Sequence, residues 1–431
     1  MRIDQLQIRN FKCFEDCHFN FNPQFNMFVG VNGSGKSSIL DALAVATGSW
    51  FLGLSGCDTR HILNREARLK LFKHDGGGIS EETQYPAAIK AFGIIQEKGL
   101  EWERTLDGVN GRTTSRHALD VKKLGKEVEQ KVRRNENVVL PLVSYYGTGR
   151  LWLEPREVKK SRKNENSRFS GYYGGADYRV SYRDLITWLK KDAWDAYNTG
   201  DEKDTSMGRV IKKAILSCIE GADEISYDVK TDDIVVSIEG QGYQPFRNLS
   251  DGQRNMLALI GDLAIKAVKL NPDFDGDVLE KTPGIVLIDE LDLHLHPKWQ
   301  RRVVEDLRRT FPKVQFFATT HSPFIIQTLR AEELIVLDSK QPETDYLGKG
   351  VEEISQFIMG VELPELSPRF KEMIVVAKEY FHLLEKSNSN ENTHRRDSLK
   401  KKLDEMTAPF SDNPAYIAFL EMKRHAAKVD E

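Results

Sequence analysis

Eight residues near the start of the chain, Gly30-Val31-Asn32-Gly33-Ser34-Gly35-Lys36-Ser37, constrain its fold more than any other stretch. They fit GxxxxGK(S/T), a loop whose backbone N–H groups surround phosphate oxygens while its lysine reaches the terminal phosphates and its hydroxyl meets Mg²⁺. Such a loop works only between a strand and a helix, and the flanks supply both. Phe25-Asn26-Met27-Phe28-Val29 has the make-up of a short strand, and Ser38-Ile39-Leu40-Asp41-Ala42-Leu43-Ala44 reads as a helix leaving the loop. At ordinary glycine frequency, a chance match in a chain this long is expected roughly once in a hundred. A phosphate cradle is therefore expected at Gly30, Asn32, Gly33, Ser34, Gly35, Lys36, Ser37 and Ser38, with ATP and Mg²⁺ as its cofactors.

A second set of chemistry-bearing residues lies far downstream. Leu249-Ser250-Asp251-Gly252-Gln253 precedes Met256, Leu257, Ile260, Leu263, Ala264 and Val268, whose spacing suits a helix over Asn255–Val268. Ser250, Gly252 and Gln253 then sit at a helix N-terminus, where unpaired N–H groups and the dipole favour phosphate. Gly284 to Ile288 is the kind of apolar run buried on both faces of a parallel sheet. Asp289 and Glu290 fall at its C-terminal end, the edge at which open α/β sheets bind ligands. Another strand, Val314 to Ala318, delivers Thr319, Thr320 and His321 to the same edge. Between them, Pro297 is placed to begin a helix carrying Trp299, Val303, Leu307 and Phe311.

Phosphoryl transfer to water needs a metal bridging phosphate oxygens, a group that positions the water, and donors for the developing charge. Ser37 and Asp289 are the expected Mg²⁺ pair, Lys36 and the loop amides hold the β and γ oxygens, Glu290 is the candidate base, and His321 a γ-phosphate sensor. His294 and His296 suggest a metal site, but no further ligand cluster accompanies them, so this stretch is read as an intersubunit loop centred on Asp292. Cys13, Cys17 and His18 also lack a second ligand pair and are read as strand residues.

With 431 residues, 40% hydrophobic and 29% charged, the chain can build two or three cores. No run approaches a membrane span, and Asp4, Arg9, Lys12 and Glu15 interrupt any signal-peptide core. The four cysteines make no disulfide framework. A cytoplasmic location is the expectation. The segments expected are an N-terminal ATPase lobe over 1–150, an insertion over 151–248, a second ATPase half over 249–340 and a helical tail over 341–431.

The insertion contains a basic stretch with Arg156, Lys159, Lys160, Arg162, Lys163 and Arg168, followed by Phe169-Ser170-Gly171-Tyr172-Tyr173-Gly174-Gly175. Basic residues beside aromatics can track nucleic acid, although a solvated loop has the same composition. Helices at 181–197 and 207–219 and a hairpin around Lys230-Thr231-Asp232-Asp233 complete it. The tail has apolar stripes such as Phe370, Met373, Ile374, Ala377, Tyr380 and Phe381, suited to internal packing or to docking a partner.

Together these motifs resemble the ABC-type ATPases of the RecF, SMC and OLD group. Ile8-Arg9-Asn10-Phe11-Lys12-Cys13-Phe14 looks like the group's first strand, and Thr319-Thr320-His321-Ser322-Pro323 like its switch. The resemblance implies an α/β, RecF/SMC-like ATPase head: a mixed sheet with flanking helices, a helical and hairpin insertion lobe and a C-terminal helical appendage. It also implies that Lys12 reaches the nucleotide phosphates. Ser250 and Gly252 would face the γ-phosphate of another subunit, making a homodimer or a higher homo-oligomer built from dimers. Where SMC-type members carry a glutamine, this chain has Tyr145-Tyr146-Gly147.

Within the group, Leu142 to Arg150, Leu293 to Gln300 and the helical tail are similar to the compact ATPases of Septu antiphage systems. Those act beside a separately encoded HNH nuclease. The competing expectations are a DNA-binding clamp of repair or chromosome maintenance and an OLD-like ATPase-nuclease. The second would need an acidic cluster after His321, which the sequence does not offer.

Overall fold

A computed structural model describes residues 1–75, 77–109, 111–149, 167–173, 182–199, 204–337, 348–361, 367–385 and 391–407. Its first unit, Met1–Ile354, begins with strands β1 (Arg2–Phe11), β2 (Phe14–Asn20) and β3 (Phe25–Val29) and helix α1 (Lys36–Gly48). Strands β4 (Leu69–Lys73), β5 (Ile79–Thr83), β6 (Ala87–Ile95) and β7 (Lys98–Leu106) follow, then α2 (Leu119–Arg133) and β8 (Leu142–Tyr146). Helices α3 (Tyr182–Thr199) and α4 (Ser206–Cys218) and strands β9 (Ala222–Asp228), β10 (Asp233–Ile238) and β11 (Gly242–Pro245) precede the long helix α5 (Asp251–Leu270). The remainder runs through α6 (Val278–Lys281), β12 (Gly284–Ile288), α7 (Pro297–Gln300), α8 (Val303–Thr310), β13 (Val314–Thr319), α9 (Pro323–Ile326), β14 (Leu334–Val336) and α10 (Val351–Phe357). The second unit, Ser355–Glu431, contains α11 (Pro368–Glu385) and α12 (Glu391–Thr407).

Five strands, among them the three expected at Phe25, Gly284 and Val314, form a parallel sheet in the order β14-β3-β13-β12-β8. Every residue of β3, β12 and β13 is buried, as required of strands covered on both faces. Phe25 stacks on Phe316 at 5.5 Å, and Phe21 meets Phe317 edge-on at 4.8 Å. Gly284 permits the approach of β8 to β12, since a Cβ there would stand 2.2 Å from the Leu142 carbonyl oxygen. Because all five strands point the same way, the residues that follow β3, β8, β12 and β13 share one edge.

The antiparallel part is a separate sheet, β2-β1-β6-β7. Helix α1 touches β1, β6 and β7 of this sheet and β12 and β13 of the parallel one, which explains why nearly all of it is buried. A buried amide clamps the two sheets: Gln315 of β13 accepts from the Ile3 N–H at 2.8 Å and donates to the Ile3 carbonyl at 2.7 Å. Trp102 of β7 donates its indole N–H to the Ala46 carbonyl of α1 at 3.0 Å. Between α1 and β8 lie β4 to β7 and the amphipathic α2, whose Val121, Leu124 and Val128 are buried.

Ahead of α5, helices α3 and α4 pack on that helix and the hairpin β9–β10 is extended by β11. Most of the insertion's basic stretch lies outside the described residues. Arg168 is structural, donating to the carbonyls of Leu270 at 2.8 Å and Val138 at 2.6 Å. Phe169 and Tyr172 are buried, and the Tyr172 hydroxyl accepts from the Trp50 indole at 3.2 Å, so neither ring is available to stack on a base. The single helix expected from Pro297 is split in two, because Arg302 at φ −123° leaves helical geometry between α7 and α8. In the second unit Met373, Val376, Ala377 and Tyr380 of α11 pack with Leu403 of α12, so much of that stripe is covered by its own neighbour.

Candidate functional site

The glycine loop has the geometry its sequence demands. Gly33 (φ 86°) and Gly35 (φ 103°) lie in the left-handed region, which side chains other than glycine adopt at a cost of about 1–2 kcal/mol. Gly35 also faces the first hairpin, where an added Cβ would meet Phe14 at 2.6 Å and Cys13 Sγ at 2.7 Å. Val31, Asn32 and Gly33 are exposed, and the loop runs directly into α1, beginning at Lys36. Lys36 is buried, its Nζ donating to the carbonyls of Gly30 at 2.8 Å and Val31 at 3.0 Å. Ser37 and Ser38 occupy the first turn. A 13-residue helix offering its N-terminal amides behind an exposed glycine loop fits polyphosphate.

The C-terminal edge of the sheet brings distant residues onto this loop. Asp289 is anchored by its backbone, its N–H donating to the Tyr146 carbonyl of β8 at 2.8 Å. Its Oδ1 accepts from Ser37 Oγ at 3.2 Å and from Thr319 Oγ1 at 2.6 Å. A hydroxyl and a carboxylate converging in this way are hard oxygen donors, and Mg²⁺ typically takes one or two of these with waters and phosphates completing its octahedron. The residues present therefore fit the metal that the motif implies.

Glu290 follows in a left-handed conformation at φ 49°. Two bonds hold it: its N–H donates to Thr319 Oγ1 at 2.7 Å, and the next residue, Leu291, donates to the Thr319 carbonyl at 2.8 Å. Thr319 is thus the hub of the pair, accepting from one acid's backbone and donating to the other's carboxylate. Its place at the sheet edge is legible in the sequence from the paired threonines before His321, but this role is not. Thr320 donates to Asp292 Oδ1 at 2.7 Å and the His321 N–H to the same atom at 3.2 Å, which leaves His321 exposed at the sheet edge.

Ser250 caps α5 in a capping box with Gln253. Its Oγ accepts from the Gln253 N–H at 3.3 Å, while the Gln253 side chain accepts from the Ser250 N–H at 2.9 Å. Ser250 is exposed and Gln253 half-buried, so the tip of this helix is presented outward. Gly252 is buried beneath the Asp292 loop: a Cβ would lie 2.7 Å from the His294 carbonyl oxygen. Asn255, one turn on, donates to the Leu293 carbonyl at 2.9 Å. His296 caps α7, its Nδ1 accepting from the Lys298 N–H at 3.3 Å.

Lys12 is held in a charged cluster beside α1. It pairs with Asp41 and lies 3.9 Å from Glu66, while Arg60 pairs with Glu66 and lies 3.6 Å from Asp41. Burial opposes the Arg60 charge, but the Glu66 and Asp41 carboxylates outweigh it and raise its pKa. Tyr145 stands near both acids; burial first, then Asp41 and Asp289, push its phenol far above the ordinary value and keep it neutral.

A parallel sheet whose C-terminal edge joins a glycine-loop helix to a hydroxyl-bound acid pair, with a capped helix turned outward, defines an α/β P-loop ATPase head of the ABC type. Residues 25–327 match the family described as "AAA domain, putative AbiEii toxin, Type IV TA system", and the chain belongs to it. Among relatives, it is 35% identical over 429 residues to "Septu protein PtuA" of Bacillus thuringiensis, covering 94% of each chain. It is 22% identical over 459 residues to "Retron Vc95 probable ATPase" of Vibrio cholerae serotype O1 biovar El Tor, covering 93% of this chain and 86% of that protein. A solved SMC head bound to the C-terminal winged-helix domain of ScpA aligns with 77% of this chain and 92% of its own, at 16% identity and a TM-score of 0.45. The chain is an ABC-type ATPase related to PtuA and to the retron ATPases.

Proposed function

We propose that the chain binds ATP with Mg²⁺ and hydrolyses it in a dimer, each site combining the glycine loop of one copy with Ser250 and Gly252 of the other. The observation that carries this reading is the convergence of Ser37 and Thr319 on Asp289, with Glu290 pinned beside it by the same threonine. Ser37 and Asp289 would hold Mg²⁺, which would supply positive charge to neutralise the charge that develops during transfer. Lys36 and the loop amides hold the β and γ phosphates. Glu290 orients the attacking water and accepts its proton, and His321 donates to the γ-phosphoryl group. The outward Ser250 helix end supports a composite site, because its amides and dipole suit an anion supplied from outside its own chain.

The role follows the relatives. Similarity to a Septu protein along 94% of both chains supports a part in a defence system; we propose that it acts against phage in the cytoplasm, its ATP cycle gating a separately encoded HNH nuclease resembling PtuB. Among the described residues no helix is long and apolar enough to cross a membrane. The test is ATP turnover by Lys36→Ala and Glu290→Gln chains. The first should lose nucleotide binding, and the second should keep ATP and accumulate dimers with turnover below about one hundredth of normal. Normal hydrolysis by Glu290→Gln would refute the base assignment. Co-purification with an HNH protein encoded beside the gene tests the partner.

A further inference from the structure

One residue touches both halves of the site in different ways. Tyr146, the last residue of β8, is buried, and its carbonyl accepts the Asp289 N–H at 2.8 Å. Its hydroxyl points the other way and donates to Asp262 Oδ2 on α5 at 2.6 Å. Lys266, one turn further along α5, lies 2.7 Å from the same carboxylate oxygen and donates to Ser144 Oγ at 3.2 Å. Its ammonium also stands 5.3 Å from the Tyr146 ring centroid. Ser144 and Tyr146 are two apart on a strand and share a face, so Asp262 and Lys266 grip β8 at successive positions.

The other end of α5 is the Ser250 cap, locked to the Asp292 loop by Gly252 and Asn255. The helix that would read a second copy's nucleotide is therefore fixed to its own Asp289–Asp292 segment twice. Asn255 fixes it downstream of the acids, and Tyr146 fixes it at Asp289 itself. Phenylalanine would fill the space equally well. A buried phenol with a half-buried carboxylate and ammonium carries a desolvation penalty that packing alone does not call for. Their charge-assisted bonds in a low dielectric are short and directional, which suits transmission of a displacement.

We propose that the Tyr146–Asp262 bond couples the Ser250 helix to the Asp289 strand, making Tyr146 and Asp262 positioning residues for ATP hydrolysis. This rests on the ATPase reading above. The full-length Tyr146→Phe and Asp262→Asn chains test it with Mg·ATP. In Tyr146→Phe, kcat should fall about tenfold while KM and ATP affinity stay within about twofold and thermal stability within a few degrees. Asp262→Asn keeps an acceptor for the phenol and should lose less, about threefold, and the double variant should match Tyr146→Phe alone. Amide exchange in residues 250–256 and 286–291 should accelerate in Tyr146→Phe. Turnover by Tyr146→Phe within twofold of normal overturns the coupling, as does a parallel fall of kcat, affinity and stability, which would mark the network as packing. Absence of turnover in the unaltered chain would refute the ATPase reading instead. Exchange then decides alone, and unchanged exchange in 286–291 overturns the coupling.

Discussion

Replacing Thr319 by valine removes one hydroxyl and keeps the shape of a fully buried side chain. Two bonds disappear: the donation to Asp289 Oδ1 at 2.6 Å and the acceptance from the Glu290 N–H at 2.7 Å. The first is charge-assisted and worth about 1.5–3 kcal/mol, the second about 0.5–1.5 kcal/mol. A combined loss of about 2–4 kcal/mol is expected, since the two share an oxygen and do not add fully. For a unit the size of Met1–Ile354 that amounts to a fall of about 3–5 °C in melting temperature.

The effect on turnover should be larger than this suggests. Glu290 sits at φ 49°, a conformation that costs about 1–2 kcal/mol for a residue with a side chain, comparable to the bond that holds it. Without that bond the backbone can relax, which moves the carboxylate away from the place the proposed base role requires. Thr319→Val should therefore lower kcat about a hundredfold while ATP affinity, assigned in the proposed site to Lys36 and the loop, changes about twofold. Thr319→Ser keeps the hydroxyl and should retain most turnover. Differential scanning fluorimetry, titration with ATP and a phosphate-release assay read these quantities separately. A valine variant with normal melting temperature and turnover would show that the threonine hub does not organise the acids.

Gly35→Ala should destabilise the fold by about 2–4 kcal/mol, because φ 103° and the contact with Phe14 both oppose a side chain; chemical denaturation checks it, and an unchanged midpoint would contradict the close approach. Mixing Lys36→Ala chains with Ser250→Arg chains should restore at most one working site per dimer, read as turnover against mixing ratio; normal turnover by either variant alone would exclude a shared site. Replacing Lys159, Lys160, Arg162 and Lys163 with glutamate should weaken salt-sensitive DNA binding and spare ATP turnover, as measured by anisotropy at low salt. If the unaltered chain binds no DNA under those conditions, this stretch is a solvated loop.

The sequence alone determined the parts whose signal is local. A glycine loop needs left-handed positions, a strand before it and a helix after it, and all three are written within Phe25 to Ala44. Strands buried on both faces must be apolar throughout, so Gly284–Ile288 and Val314–Ala318 were legible, as were the acids and histidine at their ends. A cap needs a serine before an amphipathic run, which placed Ser250. Tertiary structure decided what depends on partners far apart in the chain. Only the parallel order of β3, β13, β12 and β8 brings Ser37 and Thr319 to one carboxylate. Nothing near Tyr146 in sequence announces Asp262 on α5, and nothing near Phe169 or Tyr172 says that they face inward. Nor does the sequence near Lys12 announce its pairing with Asp41, which depends on which acids the fold sets beside it. Local conformation follows from the short-range sterics of each residue, whereas charge pairing and burial are set by neighbours that only the folded chain supplies.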